Sequence, residues 1–375
     1  MNIRWDFGRF RTLLKKECLQ ILRDPSPVMI GLGLPLLMLF LFGWGISMDI
    51  KNLPTAVVLD RSSPVMMRVA TDFAANPWFR ARIVPDRSIA EALLESRQVN
   101  VIVDFSADFD AERSQGAAPA AISITTYGVD SNSAQLFRTY AMGVLQGAMA
   151  DMAAQAPAQL AVTLLTRTWF NEAAASVWYI VPGILVLVIC IGGSLMGSGV
   201  VARECERGTF ASLCASAASP LELLLAKAVP YLVIAWAGFA AAWLLAMTVF
   251  GVPFRGSAML LVTESFCFAL WAVMLGLFLS AKLKNQFLAT EFAVILSFLP
   301  TVMLSGLLFD LRSVPAAIEC LARLLPPAYA VEAFKICFLS GGSTGTVLFD
   351  IAVTLLWACL LFAAALKALK KGGDS

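Results

Sequence analysis

The chain has 375 residues, of which 59% are hydrophobic and 14% charged, and its net charge is +2. A soluble domain carries about 25% charged residues, so the composition excludes an ordinary soluble protein and points to the membrane. Histidine is absent, which excludes Ser-His-Asp triads and histidine-held zinc or haem, and the near-neutral charge gives no reason to expect nucleic acid.

In chain order, the first element is an amphipathic helix within residues 1–26. Phe7, Phe10, Leu14, Cys18 and Ile21 recur at three- and four-residue spacing and share a face, while Arg11, Lys15, Lys16, Gln20 and Arg23 take the other. Asp24-Pro25 and Pro27 end it. Such a helix suits the plane of a membrane interface, either as a lipid anchor alone or with its polar face turned to a partner. Uncharged runs then recur at a length that fits a bilayer, roughly 20 apolar residues. The reading is six spans, at about 27–47, 177–201, 228–251, 257–281, 286–309 and 347–366. The first is a retained helix rather than a signal peptide: Asp6, Glu17 and Asp24 precede it and no small-residue cleavage site follows.

Residues 48–175 are the sizeable piece outside the spans. Short β-type runs at Thr55–Leu59, Val99–Phe105 and Ala121–Tyr127, with a weaker one at Arg82–Val84, alternate with helical segments at Pro64–Ala75, Ile89–Arg97 and Ser133–Gln155. That alternation predicts a small mixed α/β domain. In the second span, Gly193-x-x-x-Gly197 permits close helix contact, with use in bundle packing, a dimer face or a translocation path left open. Arg203–Thr209 then crowds four charges behind an uncharged run. Anchoring explains Arg203 and Arg207 but not Glu204 and Glu206, which favours a contact point over residues 203–220.

Ser219-Pro220 is a helix start. Glu264 and Glu291 are functional candidates by default, but both lie near span ends and are expected at a solvated interface. Residues 310–346 contain Pro315, Pro326 and Pro327 with amphipathic stretches at Ala316–Leu325 and Tyr329–Leu339. Short helices dipping into the outer leaflet are expected there. Free thiols are favoured over a Cys320–Cys337 disulfide. No phosphate-binding loop with a lysine occurs, so the chain is not expected to cradle a nucleotide triphosphate. Lys and Arg gather beside Arg4–Arg23, Arg203–Lys227, Lys282–Lys284 and Lys367–Lys371. That bias predicts both termini in the cytoplasm.

Five segments carry a family resemblance. Leu14–Pro25 is similar to a Lys-Glu…Arg-Asp-Pro element. Gly43–Asn52 with Ala56–Asp60, the Asp130-Ser-Asn-Ser-Ala134 stretch, Arg203–Thr209 and Pro300–Phe309 with Leu325–Phe334 follow in the matching order. Together they resemble the permease subunits of ABC-2-type exporters, in the multidrug branch with a large extracytoplasmic loop. Cys205 departs from the usual Lys or Arg, and Asp310 from the usual Pro.

The resemblance implies an α-helical polytopic protein of the bacterial inner membrane, with six transmembrane helices and the α/β domain between helices 1 and 2. It implies ABC ATPase subunits as partners and a second permease, as homo- or heterodimer, with a periplasmic adaptor as a further candidate. ATP and Mg would sit on the ATPase and no cofactor on this chain. The coupling interface would comprise Lys15, Lys16, Glu17, Arg23, Asp24, Arg203, Glu204, Glu206, Arg207, Gly208 and Thr209. Gly193, Gly197, Phe292, Phe298, Met303, Ser305 and Gly306 would line the translocation path or dimer face. The rival readings are a non-transporting scaffold for envelope assembly and, more weakly, a lipid-modifying membrane enzyme.

Overall fold

The structure, a computed structural model, describes residues 5–45, 53–59, 64–76, 78–96, 98–105, 122–126, 139–147, 176–215, 218–308, 311 and 314–373. The chain forms two compact units, Met1–Ser47 with Trp169–Ser375, and Met48–Thr168. The expected Asp130–Ala134 motif lies outside the described residues.

Among the described residues, six helices of the first unit are long and apolar enough to cross a membrane: Ser26–Gly43, Val177–Glu206, Pro220–Thr248, Ala258–Leu283, Gln286–Met303 and Thr344–Lys370. The second span is the axis of the bundle, with nearly every residue from Ile180 to Ala202 buried within the protein. Glycine lets its neighbours close in. A Cβ on Gly276 would lie 2.2 Å from the Ser194 carbonyl oxygen, and one on Gly197 would lie 2.6 Å from that of Val273. Gly193 meets Ala272 in the same way. The Gly193-x-x-x-Gly197 face is therefore consumed by packing of the second span on the fourth.

The first span is joined to the third by a second close approach, in which a Cβ on Gly238 would fall 1.9 Å from the Gly31 oxygen. Gly31 lies in a π-helical turn, Met29–Gly33. The second span breaks its regular pattern at Gly199. Just beyond the break, the Ser280 hydroxyl accepts the N–H groups of Val201 and Ala202 at 3.0 and 2.9 Å. Helix starts leave such N–H groups without intrahelical partners, so one serine of the fourth span seals the restart.

The third helix begins at Pro220, well before the uncharged run at Ala228, because Ser219 and Glu222 form a capping box there. Lys227 is thereby inside the helix. The fifth span stops at Met303, short of the expected 309. Leu304 leaves helical geometry, and Gly306 takes a positive φ of 81° that favours glycine. Beyond it, Ala316–Arg323 and Pro326–Lys335 are short helices. The second buries Ala330, Val331 and Phe334. Cys320 and Cys337 are free thiols.

Glu291 is exposed as expected, but Glu264 is not. It is fully buried between the fourth and sixth spans and accepts the Thr354 hydroxyl at 2.9 Å. Its place near the helix start was misleading because the sixth span packs over that turn.

The second unit holds a four-stranded sheet in the order β2-β1-β3-β4, with β1 Leu53–Val58, β2 Phe79–Val84, β3 Val101–Phe105 and β4 Ile122–Thr126. β1 pairs parallel with β2 and β3, and β4 runs antiparallel to β3. Parallel neighbours need crossover helices, here Pro64–Ala75 and Arg87–Glu95. β1 buries both faces. Leu53 and Val57 pack with Phe73, Val103 and Ala141, while Ala56 and Val58 pack with Ala90 and Ile102. Of the expected Ser133–Gln155 helix, 139–147 is helical and the rest lies outside the described residues.

The packing of the second and fourth spans yields a test. Gly276→Ala should force them apart and lower stability by about 1–3 kcal/mol, the usual cost of overpacking. Gly192→Ala, whose Cβ would have 3.7 Å to its nearest neighbour, should be near neutral. Thermal unfolding in detergent compares the two, and equal melting would contradict this packing.

Candidate functional site: an ion-pair cluster at the ends of the spans

The N-terminal helix Phe7–Arg23 starts with the Asp6 side chain accepting the Gly8 N–H at 2.8 Å. It lies on the third helix with Glu17 and Ile21 buried. Burying a carboxylate is costly unless it is paired, and the partner is Lys227. Its ammonium, on a side chain 1% exposed, lies 2.9 Å from Glu17 and 2.6 Å from Glu204. Lys16 closes the group, 3.0 Å from Glu17 and hydrogen-bonded to Glu204. Two cations and two carboxylates thus neutralise one another. They join the N-terminal helix, the end of the second span and the third helix. Ile21, Val201, Leu224, Ala228 and Tyr231 form an apolar core beside them.

Further polar ties surround the cluster. Arg203 pairs with Asp24 at 2.8 Å. Glu222 accepts the Asp6 N–H at 2.7 Å, pairs with Arg9 at 3.1 Å and caps its own helix through Ser219. Glu206 accepts the N–H of Gln286 at 2.7 Å, which ties the end of the second span to the start of the fifth. Gly208, at φ 72°, makes the turn before the short helix Thr209–Ala215. The Thr209 hydroxyl returns to the Glu204 carbonyl at 3.3 Å.

Burial alone would lower the pKa of Lys16, but the bond to Glu204 and the charges of Glu17 and Glu204 outweigh it and hold it above the ordinary lysine range. Hydrogen bonds from Ser26, and after them Arg203, hold Asp24 below the ordinary carboxylate range. The signs are opposite. The Lys16 contribution is complete below the unfolded lysine value and fades as pH rises through the raised one. The Asp24 contribution is complete above the unfolded carboxylate value and fades as pH falls through the lowered one.

The expected coupling residues therefore divide. Lys16, Glu17, Asp24, Arg203, Glu204 and Glu206 make bonds inside this chain, and Glu204 is buried rather than turned outward. Lys15, Arg23, Arg207, Gly208 and Thr209 are exposed. Arg23 and Arg207 flank a groove that also contains Lys16, Arg203 and Asp24. Lys227 counted in the sequence only as an orientation marker. Its position two turns inside a helix that Ser219-Pro220 starts was the available signal for burial. The other expected set divides too. Phe292 and Met303 lie on the exposed face of the fifth span with Ile295 and Leu299. Phe298 packs near Leu187, Ile191 and Leu307. Ser305 is buried, and the Gly306 carbonyl accepts Lys335 at 2.7 Å.

A six-span helical bundle with charged ties at one end and a mixed α/β unit defines a polytopic helical membrane protein. Comparison with known proteins makes this specific. The model for the ABC-2 family transporter protein matches residues 28–367, and the chain belongs to that family. It is 33% identical over 335 residues to "Probable multidrug ABC transporter permease YbhS" of Escherichia coli strain K12, covering 89% of each chain. To "Probable multidrug ABC transporter permease YbhR" of the same strain it is 25% identical over 361 residues, 96% of each. To the "Linearmycin resistance permease protein LnrN" of Bacillus subtilis strain 168 it is 22% identical over 377 residues, 93% of this chain and 96% of that protein.

Removing Lys227 should expose how the cluster works. Lys227→Met leaves Glu17 and Glu204 buried together, and breaking such a pair costs about 3–5 kcal/mol. Adding Glu17→Gln and Glu204→Gln should restore most of the lost thermal stability, since no uncompensated carboxylate then remains. If the triple variant melts no higher than Lys227→Met, mutual neutralisation is not what the cluster provides.

Proposed function

We propose that this chain is the membrane-spanning subunit of an ATP-driven exporter in a bacterial inner membrane. Both termini face the cytoplasm, and ATP with Mg is bound and hydrolysed by a separate ATPase subunit. The ATPase meets the end of the bundle that carries the ion-pair cluster. The carrying observation is Lys227 held between Glu17 and Glu204, because it makes the N-terminal helix and two spans one mechanical body. A push on Arg207, Arg23 or the Thr209–Ala215 helix then tilts spans instead of bending a loop. Arg207 suits the outer contact, being exposed at the turn while its three charged neighbours hold the fold.

A second permease copy, identical or homologous, would pack at the fifth span, where Phe292 and Met303 face outward and would border the cargo's path. The relatives' multidrug names and this apolar lining support an apolar or amphipathic cargo. The α/β unit would stand outside the cytoplasm, where a periplasmic adaptor is a candidate partner.

Charge reversal at the exposed site tests coupling without touching the buried cluster. Arg207→Glu should leave insertion and thermal stability unchanged. It should lower recovery of the ATPase on pull-down and cut transport in inverted vesicles by about fivefold or more, since a repelled charge at an interface costs about 1 kcal/mol or above. Unchanged recovery and transport would remove the coupling role. Absence of any ATPase in pull-downs of the unmodified chain would favour the scaffold reading.

Orientation has its own check. A cysteine at Ser212, in a cysteine-free background, should resist membrane-impermeant label in intact cells and react in inverted vesicles. Reaction in intact cells would reverse the topology.

A further inference from the structure

Two carboxyl groups are sealed between the fourth and sixth spans, at the end of the bundle away from the ion-pair cluster. Both helices finish beside the cluster, where Ala281 and Leu369 join its apolar core, so both begin at the opposite end. Glu264 and Asp350 each stand about two turns in from those beginnings, and they are 0% and 1% exposed. Thr354 lies one turn beyond Asp350 on the same helical face. Its hydroxyl donates to Oε1 of Glu264 at 2.9 Å, and Asp350 is within electrostatic reach of Glu264. The other oxygen of Glu264, Oε2, and Oδ2 of Asp350 are buried with no hydrogen-bond partner among the described residues.

No cation balances the pair. The charges that reach Asp350 are Glu332, which repels it, and Arg323, whose half-exposed guanidinium is bonded to Glu319 at 2.9 Å. Lys335 is turned to the Gly306 carbonyl and the Tyr179 ring, and Arg255 to the Leu339 carbonyl. The remaining ionisable neighbours are thiols, Cys267 and Cys337, with Cys359 beyond Cys267. The second and third spans carry no charged residue in the halves that reach this end. Two ionised carboxylates held here would face each other in a dry interface, a cost that nothing offsets. The ion-pair cluster is the contrast, since Lys16 and Lys227 balance Glu17 and Glu204 there.

We propose that Glu264 and Asp350 form a proton-binding site, in which each carboxyl holds a proton on its unpartnered oxygen and the neutral pair allows the fourth and sixth spans to pack. A protonated carboxyl keeps an oxygen that can accept, which is the role Thr354 gives to Oε1 of Glu264. Loss of either proton puts a charge into the interface and loosens these two spans. The folded chain then binds more protons than the unfolded chain, whose carboxyls ionise at their ordinary values. The contribution is therefore complete below those values and fades as pH rises above them, the reverse of Asp24. Neither ATP nor an ATPase is needed for this binding, so it is measured on the chain alone.

Infrared difference spectroscopy reads the protons directly. The full chain is purified at about neutral pH in a maltoside detergent, which has no carbonyl group of its own. It is compared with the double variant Glu264→Gln with Asp350→Asn, whose carboxamides imitate neutral acids. The unmodified chain should show carboxylic-acid C=O absorption that the double variant lacks, and each single variant should remove part of it. Thr354→Val should move the Glu264 part to higher frequency, because its carbonyl loses a donor. That variant decides the matter if the carboxamide variant does not fold. Between about pH 5 and about pH 8 the melting temperature of the unmodified chain should fall, and the fall should shrink by about half or more in the double variant. A difference spectrum made of carboxylate bands would overturn the proposal. So would an acid band that Thr354→Val leaves in place, or a pH dependence of melting that the folded double variant shares with the unmodified chain.

Discussion

The fold of the membrane unit depends on how Lys227 is neutralised. An ammonium on a 1% exposed side chain is tolerable only where carboxylates replace its water. Glu17 and Glu204 do so from two different elements, and Lys16 balances the second negative charge. The N-terminal helix is held by charge as well as by its apolar face. Its position fixes Arg9 and Asp6 against Glu222, and Asp24 against Arg203. The chain therefore treats the ends of its spans as a polar core, enclosed by Ile21, Val201 and Tyr231 instead of by solvent.

The middle of the bundle follows another rule. Lipid offers apolar surface as good as another helix, so close packing has to come from shape. The Gly197–Gly276 and Gly31–Gly238 approaches supply that shape, and the first of them makes the second span an axis. The fifth span carries fewer such approaches. Most of its long side chains point outward, while Glu206 ties its first turn to the second span and Thr290 and Thr301 bond to Ser198 and Cys190 of that span.

Much of this was legible in the sequence because it is local. Uncharged runs give spans, Ser219-Pro220 with Glu222 gives a helix start, and alternating Val and Ile give the strands of the second unit. Arg203–Thr209 stood out for the right reason, the presence of both signs of charge. What each charge contacts was not legible, because the partners lie far away in the chain. Glu204 looked like an outward contact and is buried, since Lys16 and Lys227 come to it from two separate helices. Gly193 and Gly197 left several uses open, and the packing contact they make depends on Ala272 and Gly276 of the fourth span. Glu264 looked interfacial until the sixth span covered it. The short fifth span depended on a backbone geometry at Gly306 that composition does not reveal.

The Glu17–Lys227 pair joins residues 210 positions apart, and this separation has a consequence for biogenesis. The N-terminal helix is synthesised long before its counter-charge exists. While the first span and the α/β unit are being made, Glu17 and Lys16 have water or each other as partners, and the helix can rest on lipid headgroups by its apolar face. It locks only after the third span has entered the bilayer and brought Lys227 beside Glu204. The cluster is therefore a late closure. A nascent chain stalled before the third span has an N-terminal helix still free to leave the membrane surface.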